Sequence, residues 1–452
     1  MTQSGGMLVS LLLALALAAP ALPFQGEDFQ IYTDHPRLLL TRARLRLLQR
    51  ERERRSARWL QLETLFAGGA PMAEPGFAGA LYWRVTGDRP AGQRAVAWAL
   101  GPARDLRQLA FVFDWCQDLL DDSQSRALAA ALRAGIEQTR SDPRVPAVRA
   151  RALAALALAG HLTDVSAATL QDIVQNWWER RIVPALKSGR DVLPPDDCYA
   201  LFELFHALRD NLALDLRESD PDYFKELPVR RLLNYYPATY PAGENDYRIP
   251  AAPLAAEPDL NRAALARAAE LALVSFDLNS PGGQVLQGWL MHDRFQLRGP
   301  FGAPYEFLWA NPYQPGLSYY HVPLLCHDRR FGRLFIRSSW DDDAVWLGTV
   351  EGRLQLFRNG RVEPLDPKPS ATPLDLTEAL VFFAGGAARF QASTDEDEQV
   401  FVLGLQPRRT YQVEVDDEEV REDSADPGGI LPVELPPRSQ TGFRLREIPA
   451  RR

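Results

Sequence analysis

Tyrosine and histidine side chains suited to proton transfer are concentrated in two stretches where the helical pattern of the chain fails. The first stretch, residues 235–258, contains Tyr236, Tyr240 and Tyr247 as well as Pro237 and Pro241. The second, residues 299–325, contains Trp309 and His321. Positioned Tyr and His side chains act as general bases and acids. Long loops within a helical domain are usually functional or disordered, and the many aromatic residues argue against disorder. We therefore expect both stretches to form loops at one functional site.

Carboxylates offer a second chemistry, because a pair of Asp or Glu side chains can supply the acid and the base of glycoside hydrolysis. The candidates are Asp196, Asp197, Glu203, Glu244 and Asp246. The adjacent pair after Pro194-Pro195 would equally well cap the next helix. No serine nucleophile elbow, phosphate loop, dinucleotide fingerprint or HExxH motif occurs in the sequence, so no cofactor is predicted.

Composition limits the partners that the chain can attract. The 452 residues are 46% hydrophobic and 24% charged, which is typical of globular domains, and the net charge is −8. Nucleic-acid binding requires a basic excess, so this charge argues against it. An acidic polysaccharide would have to be held by a local basic cleft. The three cysteines, Cys116, Cys198 and Cys326, match no zinc or redox spacing and are predicted to be buried thiols.

The N-terminus has the pattern of a secretory signal. Residues 7–22 form the only long apolar run, and Ala19-Pro20-Ala21 has the small-residue spacing of a cleavage site, although no Lys or Arg precedes the run. The run is short for a membrane span, which needs about 20 apolar residues. We predict a signal peptide at residues 1–21, a secreted or periplasmic location, and no stable membrane span after cleavage.

In the rest of the chain, the spacing of apolar residues changes once, from a helical period to a strand period. Apolar residues recur at helical spacing from Arg42 to Phe276, in helices joined by short turns and without a fixed repeat length. After Leu334 the period becomes two, with hairpin signals at Glu351-Gly352 and Asn359-Gly360. The pattern predicts a mainly α protein with added β-structure: a helical domain at residues 22–330 and a β-rich module at 331–452.

Four motifs resemble those of the heparinase II/III-like polysaccharide lyases. They are Asp34-His35-Pro36-Arg37-Leu38-Leu39-Leu40, Ala80-Leu81-Tyr82-Trp83-Arg84-Val85-Thr86-Gly87-Asp88, Phe111-Val112-Phe113-Asp114-Trp115 and Arg337-Ser338-Ser339-Trp340-Asp341. All are packing motifs shared with other (α/α)-toroid enzymes, so they imply a fold more than an activity. The resemblance implies an incomplete (α/α) toroid of helical hairpins followed by an antiparallel, β-sandwich-like module.

The resemblance also implies β-elimination on uronate-containing glycans, with an acidic polysaccharide as partner. Tyr247 lies in the loop where the family places its catalytic tyrosine, and Asn211 has the approximate chain position of its carboxylate-neutralising asparagine. His321 is the best histidine outside the helices, ahead of His292. The predicted substrate-binding residues are Arg248, Tyr236, Asn245, Tyr240 and Trp309. For several of these, ordinary packing or helix capping is the alternative explanation.

The sequence departs from the family in its β-module. The family carries a histidine-bearing segment after the Arg-Ser-x-Trp strand, whereas no histidine follows His327 here. A metal site in the β-module is therefore not predicted, and catalysis would depend on the helical domain and its loops. Two alternatives remain open: a non-catalytic glycan-binding or cell-envelope protein, and a glycoside hydrolase on the same scaffold.

Overall fold

The chain folds as a ring of helices followed by a stack of β-sheets. The computed structural model describes residues 34–102, 105–243, 245–255, 257–292, 295–366, 368–384, 388–394, 398–417 and 419–448. The predicted signal peptide lies outside these residues. Among the described residues, no helix combines the length and apolar character needed to cross a bilayer.

The helices begin where the sequence supplies capping side chains. Thr41, Ser56, Asp105, Asp121 and Asp259 each accept a hydrogen bond from the first helical turn that follows them. The α-helices are Arg42–Glu53 (α1), Ala57–Ala67 (α2), Pro75–Thr86 (α3), Arg89–Ala99 (α4), Leu106–Trp115 (α5), Asp122–Gln138 (α6), Val145–Ala157 (α7), Thr163–Gln171 (α8), Val183–Lys187 (α9), Cys198–Leu212 (α10), Pro221–Leu233 (α11), Leu260–Phe276 (α12), Pro281–His292 (α13) and Gly299–Trp309 (α14). A π-helical stretch, Asp172–Ile182, joins α8 to α9.

Helices α3, α5, α7, α10, α12 and α14 form the inner ring, in which each packs against the next. Two of them are buried around the whole circumference: every residue from Arg107 to Trp115 in α5 and from Ala150 to Ala157 in α7 is buried. The last inner helix returns to the first, because the ring of Tyr305 packs 5.5 Å from that of Phe77 and its hydroxyl donates to Glu74. The predicted helical toroid is confirmed, and its two ends meet.

The predictions for the two irregular stretches were wrong in their local structure. Residues 235–258 were expected to be a long loop, but Tyr235–Ala242 (β1) and Asn245–Pro250 (β2) pair as an antiparallel hairpin. Pro237 and Pro241 obscured the β-pattern, although the tyrosines favour strand structure. The second stretch contains the whole of α14. Pro300 occupies the first turn of that helix, where its missing N–H has no consequence.

The C-terminal module contains three sheets. Its strands are Leu325–Asp328 (β3), Arg333–Arg337 (β4), Trp346–Val350 (β5), Arg353–Arg358 (β6), Arg361–Pro364 (β7), Ser370–Asp375 (β8), Ala379–Phe383 (β9), Ala388–Thr394 (β10), Gln399–Leu403 (β11), Thr410–Val415 (β12), Glu419–Ser424 (β13), Leu431–Val433 (β14) and Arg438–Glu447 (β15). The strand orders are β3-β4-β5-β6-β7 in the first sheet, β14-β11-β9-β8 in the middle sheet and β10-β15-β12-β13 in the outer sheet. Neighbouring strands are antiparallel except for β9 and β11, which are parallel.

Alternation along the strands sorts side chains between the layers. In β4, Leu334 and Ile336 face the middle sheet, whereas Phe335 between them packs against the helical domain. Trp346 of β5 lies on the same face as Phe335, and its indole N–H donates to the carbonyl of Leu233 at 2.8 Å. The two hairpin signals are confirmed at positive φ: +48° and +74° at 351–352, and +52° and +72° at 359–360. The module is therefore a sandwich of three sheets docked on the helical ring through its first sheet.

Candidate functional site

The β1–β2 hairpin presents two chemically different faces. Thr239 pairs with Arg248 and Tyr240 with Tyr247 across the hairpin. Directly opposed residues share a face and successive residues alternate. Thr239, Arg248 and Asp246 therefore lie on one face, and the two tyrosines lie on the other.

The polar face of the hairpin forms one wall of a cleft of about 370 Å³, which we call the hairpin cleft. The end of α13 supplies Trp289 and His292, the turn after α14 supplies Tyr319, and the loop between β4 and β5 supplies Asp342. The two aromatic-rich stretches of the sequence are thus brought together, and the first sheet of the β-module completes the cleft.

Arg248 is held rigidly at the base of the cleft. One of its terminal nitrogens, Nη1, donates to the carbonyl of Pro237 at 2.6 Å and to Oδ1 of Asp342 at 2.9 Å. A second guanidinium, that of Arg337, lies buried behind it and stacks on the ring of Trp340 at 4.7 Å. Burial and the nearby charge of Arg248 lower the pKa of Arg337 to about 10. Arg248 is therefore the cation of the cleft lining, with Arg337 close to it, and the carboxylates of Asp246 and Asp342 line the same cleft.

Aromatic rings form the opposite wall. Tyr319 is buried and stacks on Tyr320 with a centroid separation of 4.5 Å, whereas Tyr320 is 54% exposed. The ring of His292 lies 6.1 Å from Tyr319 and meets Tyr320 nearly edge-on. Exposed stacked rings beside hydrogen-bonding groups suit the flat apolar face of a sugar. His292 and Tyr319 are also chemically able to exchange a proton with a bound ligand.

Of the residues predicted from sequence, Arg248 lines the cleft and several others lie beside it. Tyr247 is on the far face of the hairpin, with its ring 4.7 Å from that of Phe295. The Tyr240 hydroxyl donates to Glu257, and the Asn245 amide donates to the carbonyl of Gln296. His321 is exposed on the same turn as Tyr319 but does not contribute to the lining.

The remaining predicted residues are engaged in packing away from the cleft. Tyr236 is buried and its hydroxyl donates to Gln355 at 2.6 Å. Trp309 is buried in the helical ring and its indole N–H donates to Tyr199. Asn211 is also buried, and its amide donates to the carbonyls of Arg37 and Ala207. The structure therefore does not bring Tyr247, His321 and Asn211 together.

The carboxylates considered for hydrolysis are dispersed in the same way. Glu203 is fully buried and paired with Arg107 and Arg149, which lower its pKa against the effect of burial. Asp196 pairs with Arg262 and does not line the hairpin cleft. Glu244 lies outside the described residues. Asp246 does line the cleft, and Asp342 lies there with it.

Sequence reasoning did not single out Tyr319 or Asp342 and ranked His292 below His321. Asp342 directly follows the Arg-Ser-Ser-Trp-Asp motif, and this position is the sequence signal that could have identified it as a site residue. Within that motif, the Arg337 guanidinium donates to the carbonyls of Ser339 and Asp341, so the arginine shapes the loop that carries Asp342. His292 ends a helix of the outer ring, and its proximity to the hairpin depends on tertiary packing.

Comparisons with known proteins add little to this geometry. No protein-family model matches the chain, and no curated protein matches it. A solved structure described as a glycoside hydrolase has a TM-score of 0.34 and 10% sequence identity, over 90% of this chain and 75% of that chain. A similarity this low supports no conclusion about activity.

Proposed function

We propose that this protein is a polysaccharide lyase-like enzyme that cleaves uronate-containing glycans at the hairpin cleft. The observation that supports the proposal is the convergence of an arginine, a histidine and a tyrosine from three separate elements on one open cleft. The resemblance of four sequence motifs to the heparinase II/III-like family agrees with it. The apolar N-terminal run supports action outside the cytoplasm.

Each step of a uronate β-elimination has a group available in the cleft. Arg248 would pair with the substrate carboxylate and so stabilise the enolate that forms when a base removes the C5 proton. The C4–O bond then breaks, a C4–C5 double bond forms, and an acid protonates the departing oxygen. His292 and Tyr319 would be the base and the acid, because their rings are 6.1 Å apart on one wall. Tyr320 would stack on a neighbouring sugar ring.

A second candidate function is glycoside hydrolysis at the same cleft, because Asp246 and Asp342 both line it. One carboxylate would protonate the glycosidic oxygen and the other would activate water or attack the sugar. Asp342 pairs with Arg248 at 2.9 Å, and we assign it the role of base or nucleophile. Hydrolysis would leave a new reducing end and no double bond.

The test is to incubate the purified protein with a panel of uronate-containing and neutral polysaccharides, measuring ultraviolet absorbance for unsaturated products and reducing ends separately. A lyase yields both signals together. Tyr319→Phe and His292→Gln should each lower kcat at least about 100-fold, the usual contribution of a general acid or base. Tyr313→Phe is the matched control, since Tyr313 is 46% exposed and does not line the cleft.

The outcomes separate the candidate functions. Reducing ends without absorbance, abolished by Asp246→Asn, would establish hydrolysis. Glycan binding without any product would indicate a non-catalytic glycan-binding protein. A different result is that Tyr247→Phe or His321→Gln abolishes activity that the cleft variants retain. That result would place the reaction on the opposite face of the hairpin.

A further inference from the structure

A second hollow lies where the helical domain meets the β-module, and it shares no lining residue with the hairpin cleft. This interdomain hollow has a volume of about 370 Å³, which is within the range of small-molecule sites. It is bounded by residues 191–198, by the ends of α11 and α12, and by the first sheet. Ala251 and Pro253, just beyond the hairpin, also line it. The hairpin therefore separates the two hollows.

Charged side chains from both domains face the interdomain hollow. Among the described residues its lining includes four arginines and three carboxylates: Arg230, Arg231, Arg262, Arg333, Asp191, Asp196 and Glu351. Two ion pairs cross the domain boundary beside it: Arg230 of α11 with Asp328 of β3 at 2.5 Å, and Arg333 of β4 with Asp191 at 2.6 Å. The other two arginines are paired as well, Arg231 with Glu270 and Arg262 with Asp196. The arginines of the lining come from opposite sides of the junction.

Arg230 and Arg333 retain capacity for a further acceptor. Arg230 is 6% exposed and lies over the ring of Tyr223, and its Nη2 has no hydrogen-bond partner within the described part of the chain. A buried guanidinium N–H without an acceptor is unfavourable, and an oxyanion at this edge of the hollow would satisfy it. On the facing wall, the Arg333 side chain is 27% exposed and accessible from the hollow.

The floor between these arginines is apolar. It is formed by Leu201, Leu227, Phe331 and Phe335. A ligand that matches both features has one hydrophobic face and one anionic group. A pyranose ring bearing a carboxylate or a phosphate has this form, because its axial C–H groups pack on apolar surface while its oxyanion pairs with guanidinium groups.

We propose that the interdomain hollow binds an anionic sugar, with its ring on the apolar floor and its oxyanion between Arg230 and Arg333. The bound sugar would link the two domains, because each arginine belongs to a different one. The proposal is independent of the chemistry at the hairpin cleft, since the two sites share no residues.

The experiment is isothermal titration of the full chain with glucuronate, glucose 6-phosphate and glucose. We expect at least one of the two anionic sugars to bind and neutral glucose to bind at least 10-fold more weakly. Glucuronate binding alone would identify a carboxylate site, and glucose 6-phosphate binding alone would identify a phosphate site. Because a ligand of the folded state raises the unfolding temperature, the same sugar should raise it in a dose-dependent way.

Variants assign the binding to the hollow. Arg333→Gln should weaken affinity at least 10-fold, and Pro253→Trp, which adds a large ring at an exposed lining position, should abolish binding while leaving the circular dichroism spectrum unchanged. Arg329→Gln is the control, because Arg329 is exposed on the neighbouring turn and pairs with Asp423 outside the hollow.

Arg248→Gln separates this proposal from the proposed function: it should reduce glycan cleavage and leave binding of the anionic sugar intact. The interdomain proposal is overturned if neither anion binds, if glucose binds equally well, or if binding is lost in Arg248→Gln and retained in Arg333→Gln.

Discussion

The start of the hairpin is anchored by a buried ion pair whose loss should have a large and measurable effect. Glu270 of α12 is fully buried and accepts hydrogen bonds from Nε of Arg231 at 2.8 Å and from the Tyr235 hydroxyl at 2.6 Å. Nη2 of Arg231 lies 2.7 Å from the same carboxylate. Burial and the carboxylate raise the pKa of Tyr235 well above its ordinary value, and the carboxylate raises the pKa of Arg231 against the effect of burial.

Replacing Arg231 with methionine preserves the apolar stem but leaves Glu270 charged, buried and bonded only to Tyr235. Removing one partner of a buried pair destabilises a protein by about 3–5 kcal/mol. We expect a loss of this size in guanidinium unfolding of the helical domain, followed by far-ultraviolet circular dichroism. The hairpin that forms one wall of the cleft should be destabilised as well, because Tyr235 is the first residue of β1.

Two further variants make this prediction decisive. Adding Glu270→Gln to Arg231→Met removes the unpaired carboxylate and keeps an acceptor for the Tyr235 hydroxyl. The double variant should therefore recover at least half of the lost free energy of unfolding. Arg140→Met removes an exposed pair with Glu137 and should change nothing measurable, as expected for surface ion pairs. A loss below about 1 kcal/mol in Arg231→Met, or no recovery in the double variant, would refute the reasoning.

Three other predictions concern the scaffold. Burial and nearby arginines hold the pKa of His206 well below its ordinary value of 6.5, so the free energy of unfolding should decrease as pH falls below about 6.5, by on the order of 1 kcal/mol at pH 5.5. His206→Gln should flatten this dependence in thermal melts. A Cβ at Gly288 would lie 1.9 Å from the carbonyl oxygen of Leu317, so Gly288→Ala should displace the segment leading to Tyr319 and increase its cleavage in limited proteolysis. Gly160→Ala is the control, because its Cβ would meet only the Arg37 guanidinium at 3.7 Å, and it should leave that segment resistant. Asp114 accepts from the backbone N–H groups of Arg37 and Leu38, so Asp114→Asn should lower unfolding stability by about 1–3 kcal/mol, and an unchanged denaturation midpoint would contradict this role.

Local signals in the sequence were sufficient for much of the fold. The two turn dipeptides of the β-module fixed hairpins because their positive φ angles are required by the adjoining strands. The nearly uniformly apolar segment at residues 147–160 predicted a buried inner helix, and every residue from Ala150 to Ala157 of α7 is buried. Two of the four resemblance motifs lie on the inner helices α3 and α5, and a third begins at the last residue of β4.

The features that the sequence did not predict depend on tertiary packing. Prolines concealed the hairpin and the last inner helix, because proline is disfavoured within strands and helices. Helix α14 nevertheless contains Pro304 in its interior. Candidate site residues were chosen by type, but burial determines whether a polar side chain is available. Asn211 satisfies two backbone carbonyls inside the protein, whereas His292 is exposed at a helix end that only the folded ring brings to the cleft.

The opposed faces of the hairpin also restrict how this region can change. A shift of one residue in the pairing of β1 with β2 would turn Tyr247 outward and point Arg248 toward the ring interior, exchanging the polar wall for an aromatic one. Insertions or deletions in either strand would have to come in pairs to preserve the present surface. Engineering of specificity here is therefore best confined to substitutions at Thr239 and Asp246, which alter the chemistry of the wall and leave its geometry unchanged.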